Sequence, residues 1–182
     1  MIWLLIFMLI LILFLIIGPE KKSLKEPEII KPFQFASSKD EFIKKFMPYA
    51  VKIASKYDMD PKIILTHAAH ETGWGKKVID LNFFGIKATS KWKEAGKDTI
   101  FIWTTEYEDG KEKKKIDEFK KYNSIEEAIE DYINLIQNVY PEAWKNRKNY
   151  KKYFEALIKY EKKYATDPLY SQKLKNVYES IT

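Results

Sequence analysis

The sequence predicts a mainly helical α+β domain with one small β-hairpin lobe, preceded by a single N-terminal transmembrane helix. Three features predict it. Helix-start patterns at Ser38, Asp60 and Ser124 each introduce an amphipathic or apolar run. A stretch rich in β-branched and aromatic residues, "TIFIWTTEY", runs toward a hairpin signal at Asp109-Gly110. The chain opens on uninterrupted apolar sequence, "IWLLIFMLILILFLII".

That opening run, Ile2 to Ile17, spans roughly 24 Å as a helix, enough to cross a bilayer with Met1, Gly18 and some thinning. No Lys or Arg precedes it and "GPEKK" follows it, so the basic start and small-residue cleavage site of a signal peptide are both missing. Residues 1–18 are therefore expected to be an uncleaved anchor. Residues 19–37 carry Pro19, Pro27 and Pro32 among charges and suit an extended tether. Residues 38–182 form the folded domain. Ser38 with Glu41 makes a capping box before a helix through Phe42, Phe46, Ala50, Ile53 and Ala54. Asp60 caps a second helix with Pro61 at its first position, ending near Gly73. An irregular stretch, "WGKKVIDLNFFGIKA", leads to the hairpin, whose return strand is "KEKKKIDEFKKY". Ser124 with Glu127 opens a helix through Ala128, Tyr132, Leu135 and Ile136. A further helix covers about 150–162, and Asp167 with Pro168 opens the last one.

Composition narrows the function. The chain has 182 residues, 46% hydrophobic, and no cysteine, which removes disulfides and cysteine-based metal sites. The net charge of +6 favours an anionic partner such as nucleic acid, acidic lipid or an acidic wall polymer. Lysine far outnumbers arginine and no dense basic block occurs, which argues against nucleic acid.

The chemistry centres on "AHETGWG". At 3.6 residues per turn, Ile64, Ala68 and Glu71 share one stripe of the second helix, apolar until its last member. Glu71 is thus expected at the edge of the core, near a helix C-terminus whose dipole disfavours negative charge, with Trp74 excluding water. Both effects favour the protonated carboxyl, the form that donates a proton to a glycosidic oxygen. Gly73 and Gly75 let the backbone turn and leave the acid open to a cleft. A metal is not expected. "HAAHE" matches neither arrangement of the zinc-protease histidines and has no third ligand nearby, so His67 and His70 are expected to pack.

"AAHETGWGKK", "NFFGIKA", "TTEY", "FKKY" and "YATDPLYSQKL" occur in this order. Together, over about residues 38–182, they resemble the bacterial and phage glucosaminidase family of peptidoglycan hydrolases (glycoside hydrolase family 73). His70 departs from the family, which usually has an aliphatic residue before the acid. The resemblance implies a lysozyme-like fold, in which a helical lobe and a short β-lobe flank a sugar groove. It also implies hydrolysis of the β-1,4 bond between N-acetylglucosamine and N-acetylmuramic acid, with no cofactor.

By the same resemblance Glu71 is the general acid, and Glu106 in the β-lobe is the base or an electrostatic stabiliser. Glu106 is expected on the same strand face as Ile100 and Ile102, with Glu108 on that face as its alternative. A pair acting across a water would invert stereochemistry at a separation of roughly 6.5–9.5 Å, whereas attack by the substrate's acetamido group would make Glu106 less important. The resemblance places Trp74, Phe84, Tyr122 and Tyr164 in an aromatic saccharide platform, with Asn82 and Lys87 as polar contacts. For Phe84 and Tyr122 plain core packing is an equal alternative. The expected partners are a peptidoglycan strand and, through the N-terminal helix, a membrane; nucleic acid is not expected. Lys21, Lys22 and Lys25 would hold their side of the membrane in the cytoplasm, whereas the substrate places the domain toward the periplasm or cell wall. Two rivals remain: a catalytically silent, membrane-tethered wall-binding module, which the presence of both glutamates disfavours, and a lytic transglycosylase.

Overall fold

A computed structural model describes residues 29–108, 111–159 and 163–182, with backbone alone for residues 105–108, 111 and 112. The expected anchor and most of the tether, together with Asp109-Gly110, lie outside the described residues. Among the described residues no helix is long and apolar enough to cross a membrane.

Helix α1 covers Lys39–Ala54, and its N-cap Ser38 accepts a hydrogen bond from the Glu41 amide. The Glu41 carboxylate returns to Ser37 rather than to Ser38, bonding both its amide and its hydroxyl. After a turn of 3-10 helix, α2 covers Pro61–Thr72, with Asp60 capping the Lys62 amide and Gly73 closing the helix in the left-handed region. Ile63, Ile64, Leu65, Ala68 and Ala69 of α2 are fully buried, as is its His67. A helix apolar on nearly every side needs partners all around it. Those partners include α1, the last helix of the chain, and the helix carrying Tyr132, whose hydroxyl bonds His67.

A short helix α3, Ser90–Glu94, precedes strands β1, Thr99–Glu108, and β2, Lys111–Lys120. They pair antiparallel in one register from Thr99↔Lys120 to Glu108↔Lys111. Ile100, Ile102 and Phe119 are buried at the base of this hairpin, while Trp103 and its partner Ile116 are exposed on the other face. Alternation of side chains about the strand produces both faces. Helices α4, Ile125–Val139, α5, Pro141–Lys145, α6, Tyr150–Lys159, and α7, Tyr170–Ser180, complete the chain. The last helix begins two residues beyond Pro168. Asp167 instead caps the turn before it, accepting from the Leu169 amide at 2.8 Å and pairing with Lys173.

The described end of the tether is extended and bonded to the domain. Phe33 exchanges two backbone hydrogen bonds with Val78, Phe35 donates to Gly75, and Ile30 donates to Phe101 on β1.

Candidate active site

Gly73, Trp74 and Gly75 all have positive φ, of 58°, 61° and 75°. Three such residues in a row turn the chain sharply out of α2. At Gly75 a Cβ would stand 2.6 Å from the Phe42 ring, so only glycine fits against α1 there. The turn sends Trp74 toward α1. Its ring meets Phe42 edge to face and carries Lys39 Nζ 5.2 Å from its centroid. Trp74 is not among the residues lining the groove described next.

An open groove of about 540 Å³ runs between the helical lobe and the hairpin base. Glu71 enters it from the end of α2. Phe84, Gly85, Ile86 and Lys87 line it from the loop after the turn, Lys120 from β2, and Tyr140, Tyr164 and Tyr170 from the C-terminal half. Among the described residues that line it, Glu71 is the single acidic one. Its side chain retains 25% of its exposure, the part turned to the groove. Burial raises its pKa, opposed by a hydrogen bond that Tyr170 donates to Oε1 at 2.5 Å. Tyr164, Tyr170 and Phe84, rather than the Trp74 indole, share the groove lining with Glu71.

Phe84 forms the groove floor and stacks on Tyr132 with ring centroids 4.2 Å apart. The Tyr164 hydroxyl donates to the Phe84 carbonyl at 3.0 Å, so the two aromatics hold one another at the groove. Lys87 lies in the lining and pairs with Asp117 on β2 at 2.9 Å. Burial acts to raise the pKa of Asp117, but hydrogen bonds from Lys87 and Thr104 outweigh it and keep the group below the usual carboxylate range.

Two of the remaining candidates sit in the framework. Asn82 is buried and bonds the amide and carbonyl of Ile86 and the carbonyl of Lys120, joining the groove loop to β2. Tyr122 is buried against Trp92 and donates to Asp131 at 2.7 Å. Glu106 pairs with Lys113 in the strand register, and Glu108 with Lys111; both side chains lie outside the description. Among the described residues no cluster of three or more acidic or histidine side chains could hold a metal.

The structure adds three residues that the sequence did not single out. Tyr170, within the quoted "YATDPLYSQKL", touches the acid directly. Asp117 reaches the groove rim through Lys87. Gly85, with φ 61°, leaves the space beside Glu71 Oε2 open; a Cβ there would stand 3.9 Å from that oxygen. Its glycine within "NFFGIKA" was the available signal.

Residues 47–182 match the model of the glucosaminidase family, described as mannosyl-glycoprotein endo-beta-N-acetylglucosaminidase. The chain is 33% identical over 165 residues to the peptidoglycan hydrolase FlgJ of Pseudomonas aeruginosa, covering 86% of this chain and 40% of that one. Against a solved peptidoglycan hydrolase mutant from Sphingomonas sp. A1, identity is 33% and the TM-score 0.66, over 79% of this chain and 94% of the other. Against the catalytic domain of the autolysin Auto from Listeria monocytogenes the values are 30% and 0.64, over 80% and 86%. The chain spans about half the length of the curated relatives it matches.

Proposed function

We propose, from the fact that this chain belongs to the glucosaminidase family of glycoside hydrolases, that it cuts the β-1,4 bond between N-acetylglucosamine and N-acetylmuramic acid in peptidoglycan. The fold is the lysozyme-like arrangement of the relatives, with a helical lobe and a hairpin on either side of a groove. The observation that carries the proposal is Glu71, a carboxyl held at the groove with its pKa raised by burial. Burial favours the protonated form of this carboxyl, which passes its proton to the glycosidic oxygen as the bond to the sugar breaks, and the sugar becomes positively charged. Glu106 acts as base toward water, or stabilises that charge. Tyr164, half-buried at the groove, offers ring surface to the apolar faces of the sugars, whereas Phe84, 1% exposed and stacked on Tyr132, packs in the core. Lys87 and Lys120 also line the groove, each already paired with a carboxylate, Asp117 and Asp131 respectively.

The apolar run from Ile2 to Ile17 supports a further part of this reading, that the enzyme works tethered to a membrane with its groove toward the periplasm or cell wall. Digestion of purified peptidoglycan by the full chain, followed by mass spectrometry of the fragments, tests the proposed reaction. The expected result is new reducing ends on N-acetylglucosamine. Anhydro-sugar ends would make the chain a transglycosylase, and retention of intact polymer without cleavage would make it a binding module.

A further inference from the structure

Behind Glu71 the core holds a file of polar atoms contributed by four helices. Tyr170 of α7 donates to Glu71 Oε1. The same hydroxyl lies 2.5 Å from His67 Nε2 of α2, and His67 Nδ1 lies 2.6 Å from the Tyr132 hydroxyl of α4. Tyr132 in turn meets the Tyr153 hydroxyl of α6 at 2.7 Å. His67, Tyr132 and Tyr153 are wholly buried. Buried polar groups are rarely placed without a partner, and here each has one.

The protons in this file can be assigned by counting. With Oε1 accepting, Tyr170 is the donor, and its oxygen then accepts from His67 Nε2–H. Burial, with the nearby His70, holds the His67 pKa down to about 3, so the ring is neutral and carries a single N–H. With that proton on Nε2, Nδ1 is bare and accepts from Tyr132, whose oxygen accepts from Tyr153. Every donor points toward Glu71. Oε1 is therefore occupied from behind, while Oε2 looks into the space that Gly85 leaves open.

We propose that His67 is a positioning residue for catalysis: its Nε2–H holds the Tyr170 hydroxyl as a donor to Glu71 Oε1, which assigns the transferable proton to Oε2. This rests on Glu71 being the general acid. In the step itself the Oε2 proton passes to the glycosidic oxygen, which keeps the electron pair of the breaking bond to the sugar. The negative charge left on Glu71 is met by the Tyr170 hydrogen bond already in place, without rearrangement. No proton travels along the file. Tyr170 remains a phenol, since burial first, and then the charge of Glu71, raise its pKa well above the ordinary value.

Other charged groups face this region. His70 lies beside Glu71 on α2, Lys173 of α7 and Asp167 lie beside His70, and Lys87 and Lys120 line the groove. The phenols of Tyr132, Tyr153 and Tyr164 are neutral at working pH because burial raises each of them. All of these stay in place in a His67 variant, so a change in the pH profile reports the file itself.

The test compares His67→Leu, His67→Gln and Tyr170→Phe in the full chain acting on peptidoglycan. Leucine removes donor and acceptor, whereas the glutamine amide supplies one of each. Expected for His67→Leu and Tyr170→Phe is a fall of about tenfold in kcat with KM unchanged. Their alkaline limb moves to higher pH, because a carboxylate that loses a donor is harder to ionise. His67→Gln is expected near wild type in both respects. The proposal is overturned if folded His67→Leu keeps the wild-type rate and limb, or if glutamine fails as badly as leucine. Should His67→Leu not fold, His67→Met, close to glutamine in size but without a donor, takes its place against His67→Gln by the same rate and limb. Glu71→Gln separates the layers. If it is inactive while His67→Leu is normal, only the positioning role falls; if it is active, the reading of Glu71 falls with it.

Discussion

Around α2 side chains are enclosed from all directions, whereas along the hairpin burial fades away from the base. Ile63 through Ala69 are all buried, and Glu71 emerges from that packing. On the hairpin Ile100, Ile102 and Phe119 are buried, but Trp103 keeps 58% of its exposure and Ile116 42%. The two regions therefore do opposite things to carboxyl groups. In the helical lobe burial raises the pKa of Glu71. On β2 the lysines prevail: Asp117 is held low against burial by Lys87 and Thr104, and Glu118 is held low by Lys93. The groove thus lies between a carboxyl whose pKa burial raises and a strand lobe whose described carboxylates Asp117 and Glu118 are held low by their partners, a pairing of shifts that the proposed acid and base roles would use. That division depends on enclosure, which helices packed around a central helix provide and a two-stranded ribbon does not.

The largest effect should come from testing that division directly. Glu71→Gln is expected to lower kcat by roughly 10²–10⁴-fold with the fold intact, the usual worth of a general acid. Glu106→Gln is expected to cost less, about 10–10²-fold, since a stabiliser or water-orienting base is partly replaced by solvent. Release of reducing ends from purified peptidoglycan measures both. Equal losses would break the asymmetry between the lobes. If Asp117→Asn costs more than Glu106→Gln, the second carboxylate moves from β1 to β2.

Within the helical lobe, two groups of α2 should act in opposite directions in acid. His67 has a folded pKa of about 3 against an ordinary 6.5. The unfolded chain therefore binds more protons in that window, and stability falls as pH drops through it. By pH 4 the loss due to His67 is roughly 3 kcal/mol, at 1.36 kcal/mol per pH unit. Glu71 acts with the opposite sign: its raised pKa makes its own contribution less unfavourable as pH falls toward 4.5. Thermal melts from pH 7 to 4 should show a steep decline in the wild type and a shallower one in His67→Gln. Equal slopes would mean that the histidine is not the acid-labile point of the core.

Much of this was legible in the sequence because it is local. Ser38, Asp60 and Ser124 cap the helices they precede, and Gly73 ends α2 in the left-handed region. The strands pair in a single register on either side of Asp109-Gly110, the position of the hairpin signal in the sequence. The placement of Glu71 at the end of an apolar stripe was likewise a matter of helical phase. What the sequence withheld is set by contacts between distant elements. Three consecutive positive φ angles decide that Trp74 faces α1, and no periodicity announces them. The partners of His67 lie 65 and 103 residues away, so the motif "HAAHE" could suggest packing but not a directed file of hydrogen bonds. The short helices α3 and α5 were missed because a single turn leaves no apolar stripe. Asn82 looked like a sugar contact from its place in the motif, yet its amide is consumed by backbone groups.

Asn82 also sharpens the contrast between the lobes, with the smallest of the three expected effects. It is the clamp at their junction, bonding the amide and carbonyl of Ile86 in the groove loop and the carbonyl of Lys120 on β2. Beside it, the Lys120 amide donates to the Ile86 carbonyl and the Ala88 amide to the Glu118 carbonyl. Asn82→Ala leaves these last two bonds but strips a buried amide of its acceptor and two carbonyls of a donor. The expected cost is about 2–3 kcal/mol, or roughly 5–10 °C in Tm. Hydrogen exchange should place the loss unevenly, with β1 and β2 amides exchanging faster and α2 amides scarcely changed, because the packing of α2 does not pass through Asn82. Uniform acceleration across both lobes would mean that the hairpin and the helical core unfold as one unit, and that the difference between them lies in burial alone.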